Sequence, residues 1–228
     1  MNDVPNFATI FFYILRTGLP ATLMLTALGL LIGFVLGLTL ALMRVYGGKE
    51  LGWLASGYEK LLRGIPVLIL ISIFSFGIPG LFWYLEPLER PLAGCILALG
   101  LRSGAYQSQI FRGAILSVNP GQMEAALALG MSRFQAFQHV IFPQALRLSV
   151  PSSSNEYAVV IKDSSFAYGV GITEITKSGL DIAGNFIELW ALSMGVVAII
   201  YFLFTYPITR IFGERQTKKL KKLGMGGG

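Results

Sequence analysis

Long uncharged, apolar stretches alternate along the chain with short segments that carry most of the charged residues. A hydrocarbon core about 30 Å thick is crossed by a helix of about 20 apolar residues, so such stretches predict membrane spans. Five candidate spans follow from this pattern: residues 17–43, 64–85, 91–111, 146–161 and 189–209. The pattern therefore predicts an all-α polytopic membrane protein with five transmembrane helices.

The five candidate spans are not equally apolar. The first and fifth contain no charged residue, and the first is too long for the apolar core of a signal peptide, so we expect it to be retained. Pro66 and Pro79 shorten the regular helix expected in the second. Arg102 lies near the middle of the third, and the fourth contains Pro151 and Glu156. The fourth span is therefore the weakest of the five.

Glycine recurs at every fourth position of the first candidate span, at Gly29, Gly33 and Gly37. This spacing places three positions without side chains along one helix face. We therefore expect another helix to approach that face closely.

Positive charges predict the orientation of the chain, because Lys and Arg beside a span stay on the cytoplasmic side. The segments after the first, third and fifth spans, counted with Arg147 at the start of the fourth span, carry 13 of the 18 cations. The opposite segments carry Arg16, Arg90 and Lys177, and Arg102 and Lys162 lie inside or at the edge of spans. The N-terminus is therefore predicted outside and the C-terminus in the cytoplasm. The basic run at 215–222 is expected to attract anionic membrane lipid, and residues 223–228 are expected to form a flexible tail.

Composition supports a membrane protein: 54% of the residues are hydrophobic and 13% are charged, against about 25% charged in a soluble domain. The net charge of +6 does not indicate a nucleic-acid partner, because the cations flank predicted spans. One cysteine, Cys95, and one histidine, His139, exclude an intrachain disulfide and a Cys- or His-rich metal site. We therefore predict a single transmembrane domain, residues 1–222, with no catalytic residue, metal or cofactor of its own.

The segment between the third and fourth candidate spans, about residues 117–145, is longer than a simple connection requires. Asn119 is expected to cap a helix that begins at Pro120. Glu124 then lies near the start of that helix, where the helix dipole favours a negative charge. Gly130 is expected to end the helix in a left-handed conformation. The segment is therefore predicted to have helical structure of its own.

A second helix is predicted in the same segment. Ser132 is expected to cap it, and Pro143 is expected to end it. Phe134, Phe137 and Ile141 fall at spacings of three and four, which places them on one face. An interfacial hairpin lying on lipid is an alternative, but the small Ala-rich first helix suits a protein groove better.

This segment resembles the EAA loop of ABC transporter permeases, in which Glu-Ala-Ala is followed by a glycine, here Glu124, Ala125, Ala126 and Gly130. The resemblance extends to the polar-amino-acid permease family over roughly residues 16–210. Its further motifs in this chain are LRGIP at 62–66, FRGAILSVNPGQMEAALALG at 111–130, FPQALR at 142–147 and IKDSSFA at 161–167. Gln109 departs from the family, which often has an acidic residue there, so an ion pair with Arg112 is not expected.

The resemblance implies that the chain is the permease subunit of an ATP-driven importer for polar amino acids. ATP and Mg would then be bound by a separate ATPase, in agreement with the lack of a GxxxxGK[ST] phosphate-binding loop in this sequence. The residues that would couple the permease to that ATPase are Gly121, Glu124, Ala125, Ala126 and Gly130. The implied partners are two cytoplasmic ATPase subunits, a second identical or related permease and an extracytoplasmic amino-acid-binding protein, in a prokaryotic cytoplasmic membrane.

Polar residues are concentrated in and just after the fourth candidate span, where a charge costs at least ~2.5–3.5 kcal/mol. Glu156 and Asp163 are two helical turns apart, so both carboxylates are expected on one side of the helix. Asn155 and Lys162 form a second pair on an adjacent stripe. Together these side chains offer acceptors and a donor to a zwitterion. The predicted substrate-binding residues are Arg102, Asn155, Glu156, Lys162, Asp163 and Ser164.

Structural roles are open alternatives for the same residues. Lys162 and Asp163 also fit the outer end of a span, where long side chains reach water. Glu156 also fits a bond to a neighbouring span, because Pro151 frees a backbone group that must be satisfied. Arg102 also fits a counter-ion for Glu156 or for a free carbonyl. The residues expected to line the same cavity as Arg102 are Ser103 and Gln107.

Charge in this cluster bears on the substrate. Two carboxylates against Lys162 favour cationic or neutral polar amino acids, because an acidic substrate would add a third negative charge. An ATP-independent secondary transporter or channel is the main alternative function, but no inverted repeat is visible. An intramembrane enzyme would need a nucleophile and a positioned base, and His139 has no such partner in the sequence.

Overall fold

The computed structural model describes residues 6–78, 80–87 and 89–218, and every regular element within these ranges is helical. The α-helices are Phe7–Thr17 (α1), Leu19–Tyr46 (α2), Gly48–Gly64 (α3), Val67–Ser72 (α4), Arg90–Leu116 (α5), Pro120–Ala128 (α6), Arg133–Ala136 (α7), Phe142–Asp163 (α8), Ile175–Asn185 (α9) and Trp190–Ile208 (α10). π-helical turns cover Ile73–Gly77, Phe137–Ile141 and Thr209–Arg215, and 3₁₀ helices cover Ser164–Val170 and Ile187–Leu189. Pro79 and the predicted tail at 223–228 lie outside the described residues.

The most extensive helix–helix contact among the described residues is between α2 and α5, and the glycine face of α2 takes part in it. A Cβ atom added to Gly33 would lie 2.6 Å from Nε2 of Gln107, and one added to Gly37 would lie 2.6 Å from Cβ of Gln107. At Gly29 the nearest atom would be Cβ of Leu99, 3.1 Å away. The predicted close approach at these glycines is confirmed.

Four of the five candidate spans correspond to single long helices, α2, α5, α8 and α10. The second candidate span differs. Its helix begins after Pro66 and is short, since α4 passes into the π-helical turn that ends at Gly77. α3 precedes it and is bent by 100° against it at residues 65–66. The second candidate span therefore contains only a short helical segment, which a sharp bend separates from α3.

α3 is an integral part of the bundle, although the sequence suggested only a charged connection here. The hydroxyl of Tyr58 donates a hydrogen bond of 2.8 Å to the carbonyl of Leu101 in α5. Leu62 is buried in a core with Leu70 of α4 and Ala98 of α5. The end of α3 is thus fixed against the middle of α5.

Length and hydropathy alone identify fewer spans than the sequence pattern did. Two described helical stretches, Leu19–Tyr46 and Ile187–Lys218, are long and apolar enough to cross a membrane. The bent pair of α3 and α4 qualifies as a third if it forms one span. α5 and α8 contain the polar residues of the predicted substrate site, and on this criterion they do not qualify. Five spans therefore stay a prediction.

Two helices that the sequence pattern did not predict, α1 and α9, pack together against α10. Ile10 and Ile14 of α1 are buried with Ile175 of α9 and Val196 of α10. The buried carboxylate of Glu174 caps α9, accepting hydrogen bonds from the backbone N–H groups of residues 176 and 177 at 2.8 and 2.7 Å. Burying a carboxylate is tolerated here because the start of a helix supplies unpaired donors.

Candidate functional site

The EAA loop, residues 117–145, begins with the predicted capped helix. Oδ1 of Asn119 accepts a hydrogen bond of 2.9 Å from the backbone N–H of Gly121, and Pro120 is the first residue of α6. Gly130 has a φ of +82°, the left-handed conformation predicted for it. Glycine adopts this conformation without steric cost, whereas a side chain would be strained. The cap and the glycine corner are both confirmed.

The second helix of the EAA loop begins as predicted but does not end as predicted. Ser132 and Gln135 form a reciprocal capping box at the start of α7. Pro143 was expected to end the helix, and that prediction is wrong. A π-helical turn precedes it, in which the N–H of Phe142 bonds to the carbonyl of Phe137, five residues back. The helical path therefore continues through Pro143 into α8, which links the EAA loop directly to the predicted fourth span.

The EAA loop packs on the membrane helices through one face and exposes the other. Ile141 is buried in a small core with Ile115 at the end of α5, whereas Phe134, expected on the same face, is 72% exposed. Of the predicted coupling residues, Ala126 is buried. Those that lie exposed on the opposite side are Gly121, Glu124, Ala125 and Gly130. The exposed side of α6 therefore presents Gly121 and Ala125, which have small or no side chains, beside the carboxylate of Glu124.

The two carboxylates of α8 both contact α5, so they lie on one side of the helix, as their spacing predicted. Glu156 accepts a hydrogen bond of 2.7 Å from the hydroxyl of Ser103. Asp163 forms a salt bridge with the guanidinium of Arg102. Arg102 was expected to neutralise Glu156 or a free carbonyl, and its partner is Asp163 instead. We call these four residues the α5–α8 cluster.

The remaining predicted site residues face elsewhere. Asn155 and Lys162 line a groove of about 870 Å³ between α8 and the end of α10, where Phe202 and Tyr206 also lie. Ser164 is completely buried and donates a 2.7 Å hydrogen bond to the carbonyl of residue 161. The predicted constellation is therefore divided between two faces of α8.

Gln107 connects the α5–α8 cluster to α2. Its side-chain nitrogen donates to the hydroxyl of Ser103 and to the carbonyl of Leu30, each over 3.1 Å. It also lines a mainly apolar groove of about 500 Å³ with Phe34 of α2 and Tyr157 of α8. Ser103 and Gln107 thus belong to one hydrogen-bonded chain from α2 to Glu156.

The sequence analysis did not identify the buried carboxylate of Glu59 in α3. This carboxylate forms a salt bridge with Arg44 and accepts a 2.6 Å hydrogen bond from the hydroxyl of Ser108. Gln109 also donates a hydrogen bond to Glu59. Gln109 stands where the family often has an acidic residue, and this bond gives the glutamine a structural role. No local sequence pattern identified Glu59 as buried, because the other charged residues of α3 are exposed. Its spacing of four and three residues from Ala55 and Leu62, which are also buried, is the one signal that could have indicated a buried helix face.

Tyr106 of α5 is the other feature that the sequence analysis missed. The Cζ atoms of Arg63 and Arg102 each lie 4.9 Å from the centroid of its ring. Arg63 had been counted with the cytoplasmic loop cations, although it belongs to the LRGIP motif at the end of α3. The bend after α3 is what places this arginine against α5.

Comparison with known proteins agrees with this arrangement. The family model described as "Binding-protein-dependent transport system inner membrane component" matches residues 29–222. The glutamine transport system permease protein of Escherichia coli (strain K12) is 34% identical over 213 residues, covering 92% of this chain and 94% of that protein. The L-cystine transport system permease protein TcyB of Bacillus subtilis (strain 168) is 32% identical and covers 88% of this chain and 84% of that protein.

Solved structures show the same fold. A crystal structure of an amino acid ABC transporter with histidines has a chain that is 29% identical, with a TM-score of 0.75, covering 90% of this chain and 94% of that chain. A chain of the inward-facing MetNI methionine ABC transporter has a TM-score of 0.69 at 20% identity, covering 88% of this chain and 95% of that chain, which shows the fold alone.

Family membership carries consequences for the whole assembly. It implies a separate ATPase, a binding protein and a second permease as partners. ATP hydrolysis belongs to that ATPase, and an ATP-independent transporter is not favoured. This chain is a membrane permease subunit of an ABC importer and belongs to the family of binding-protein-dependent transport system inner membrane components.

Proposed function

We propose that this permease carries polar amino acids, neutral or cationic, across a prokaryotic cytoplasmic membrane, and that the α5–α8 cluster is part of its substrate site. The observation that carries the proposal is the pair of acidic residues on α8, held against Arg102 and Ser103 of α5. Charged groups at membrane depth mark substrate pathways more often than packing sites. Relatives named for glutamine, L-cystine and nopaline transport support the same substrate class.

The proposed topology has five spans, formed by α2, the bent pair of α3 and α4, α5, α8 and α10. The N-terminus is outside and the C-terminus is cytoplasmic. The register of α2 on α5 supports this order, because Gly29, Gly33 and Gly37 face residues 99, 103 and 107 in turn. The two helices therefore run in the same direction, as the first and third spans of such a chain must. In this proposal the segment between them returns across the membrane, and α3 and α4 take that role.

Charge within the proposed site refines the substrate. Arg102 neutralises Asp163, whereas Glu156 makes no salt bridge within the described part of the chain. A buried carboxylate is stabilised when a positive group accompanies it. We assign that role to the ammonium group of the amino acid, with Ser103 holding the carboxylate in place. Asn155 and Lys162 of α8 and Ser164, which directly follows that helix, stay in the proposal as neighbouring residues, although no hydrogen bond joins their side chains to Glu156 within the described residues.

Coupling to ATP hydrolysis is assigned to the exposed side of α6. Gly121, Glu124 and Ala125 would contact a cleft of the ATPase, while Ala126 and Gly130 shape the loop from inside and at its corner. The uninterrupted helical path from α7 into α8 would then carry ATPase closure to Glu156. We propose two permease subunits above two ATPases, with an extracytoplasmic amino-acid-binding protein delivering the substrate.

Transport by the assembled importer tests the proposal. The permease, its ATPase and its binding protein are reconstituted in lipid vesicles, and uptake of radiolabelled L-glutamine and L-arginine is measured with ATP present. Each of the twenty amino acids is then added as a competitor. Competition by neutral polar or cationic amino acids is the expected result. Uptake of L-glutamate that none of these amino acids inhibits would contradict the proposed substrate class.

A further inference from the structure

Two guanidinium groups, one from α3 and one from α5, lie over the same aromatic ring of α5. The Cζ atoms of Arg63 and Arg102 both lie 4.9 Å from the ring centroid of Tyr106, so they are within about 10 Å of each other. Like charges at this distance repel, and a nearby anion offsets the repulsion. Asp163 provides one negative charge and pairs with Arg102. Arg63 makes no salt bridge among the residues that the structure describes.

These two arginines have N–H groups that make no hydrogen bond within the described residues. Nε of Arg102 is buried and has no hydrogen-bond partner within the described residues. Arg63 is exposed at the last turn of α3, so its guanidinium is accessible to a small molecule. A guanidinium presents a rigid fork of N–H donors that matches a carboxylate. The N–H groups without a partner therefore match an acceptor with the geometry of a carboxylate.

The support for this pair of arginines is rigid. Tyr58 bonds to the carbonyl of Leu101, and Leu62 is buried in the shared core, so the end of α3 is fixed one residue before Arg63. The Tyr106 ring stacks with planar guanidinium groups and limits their freedom. Less conformational entropy is then lost when an anion binds.

We propose that Arg63 and Arg102, arranged around Tyr106, form the subsite that binds the α-carboxylate of the transported amino acid. The proposal rests on the proposed function and deepens it. Tyr106 lies three residues after Ser103 on α5, about one helical turn from the hydroxyl that holds Glu156. The carboxylate end of an amino acid would therefore meet Arg63 and Arg102, and its ammonium end would meet Glu156 of α8, which the hydroxyl of Ser103 contacts. Such a subsite recognises amino acids as a class, because every substrate has an α-carboxylate.

Removal of the carboxylate from the probe is the direct test. The purified permease–ATPase complex, without binding protein, is titrated with L-glutamine and with 4-aminobutanamide, which lacks only the α-carboxylate, and Kd is measured for each. L-arginine and agmatine form a second matched pair. Loss of a charge-assisted bidentate contact is expected to weaken binding at least about tenfold. Wild-type protein should therefore prefer each amino acid over its decarboxylated partner by at least that ratio.

Variants assign the preference to specific residues. Arg63→Gln is expected to bring the ratio of the two Kd values close to one, whereas Arg63→Lys should retain part of it. Lys60→Gln, an exposed cation one turn earlier on α3, should keep the wild-type ratio. A wild-type ratio near one, or a ratio that Arg63→Gln does not change, would overturn the carboxylate subsite alone. Absence of saturable binding of both amino acids would overturn the subsite together with the proposed substrate site.

Discussion

The EAA loop and the α5–α8 cluster are both polar, but different kinds of contact define them. In the EAA loop the defining hydrogen bonds join residues two or three positions apart, as at Asn119 and Ser132. In the α5–α8 cluster they join residues 53 and 61 positions apart, between Ser103 and Glu156 and between Arg102 and Asp163. A local contact depends on the nearby sequence, whereas a distant contact depends on how helices pack. Substitutions in the cluster should therefore have larger effects than substitutions in the loop.

The largest effect is expected from Arg102→Met, which leaves Asp163 without its partner in a site where both side chains are 16% exposed. Breaking such a pair from one side lowers the free energy of unfolding by about 3–5 kcal/mol. Denaturation of the detergent-solubilised protein measures the loss. The matched control is Arg102→Met with Asp163→Leu, which removes both charges and should recover most of the stability. A single variant as stable as wild type would show that the pair does not hold α5 to α8.

A smaller effect is expected where α2 and α5 touch. In Gly37→Ala the new Cβ atom would lie 2.6 Å from Cβ of Gln107 and 2.9 Å from the backbone nitrogen of Ser108, so the helices must separate. Overpacking of this kind costs about 1–3 kcal/mol. Thermal unfolding in detergent measures it. Gly195→Ala in α10 is the control, because nothing lies within 4 Å of that position. Equal stability of the two variants would contradict the close contact.

The EAA loop is expected to respond through coupling more than through stability. Gly130→Asp places a side chain at a φ of +82°, at a cost of about 1–2 kcal/mol confined to the corner. The variant should still insert in the membrane, but substrate-stimulated ATP hydrolysis by the assembled complex should fall. Glu124 was expected near the first turn of α6, but it lies in the middle of that helix and is exposed. Glu124→Lys should act in the same way, because it reverses the charge on the surface proposed to contact the ATPase. ATPase binding and stimulation at the wild-type level in both variants would exclude the coupling role.

The smallest effect is expected from Asn119→Ala, which removes one exposed helix cap. Such a cap contributes typically about 1 kcal/mol, and only α6 depends on it directly. Hydrogen exchange at the first amides of α6 should accelerate while the exchange of α5 amides stays unchanged. Asn119→Asp keeps the acceptor and should restore slow exchange. Faster exchange throughout α5 would show that the loop and the bundle unfold together.

Sequence reasoning succeeded where the determining contacts are local. The caps at Asn119 and Ser132, the left-handed Gly130 and the glycine face of α2 were all predicted from short spacings. It failed at Pro143, because the π-helical turn before it removes the conflict that normally ends a helix at proline.

The candidate site was predicted only in part. The spacing of Glu156 and Asp163 predicted that both carboxylates lie on one face of the helix. The sequence of a single helix does not show which polar residue of a neighbouring helix will bind each carboxylate. Arg63 was assigned to a loop because the 100° bend after α3 is a tertiary feature that places it beside Tyr106. Glu59 was missed for the same reason, since its partners come from two other helices.

The central claim is that Glu156, held by Ser103 in the α5–α8 cluster, receives the ammonium group of an imported amino acid. The initial rate of ATP-dependent L-glutamine uptake into vesicles tests it most directly, measured for Glu156→Gln and wild type at equal amounts of assembled importer. We predict a rate at least about tenfold lower, because the amide keeps the shape and the hydrogen bond but lacks the charge. Glu50→Gln, at an exposed carboxylate of α3, should transport at the wild-type rate. Wild-type uptake by Glu156→Gln would contradict the claim.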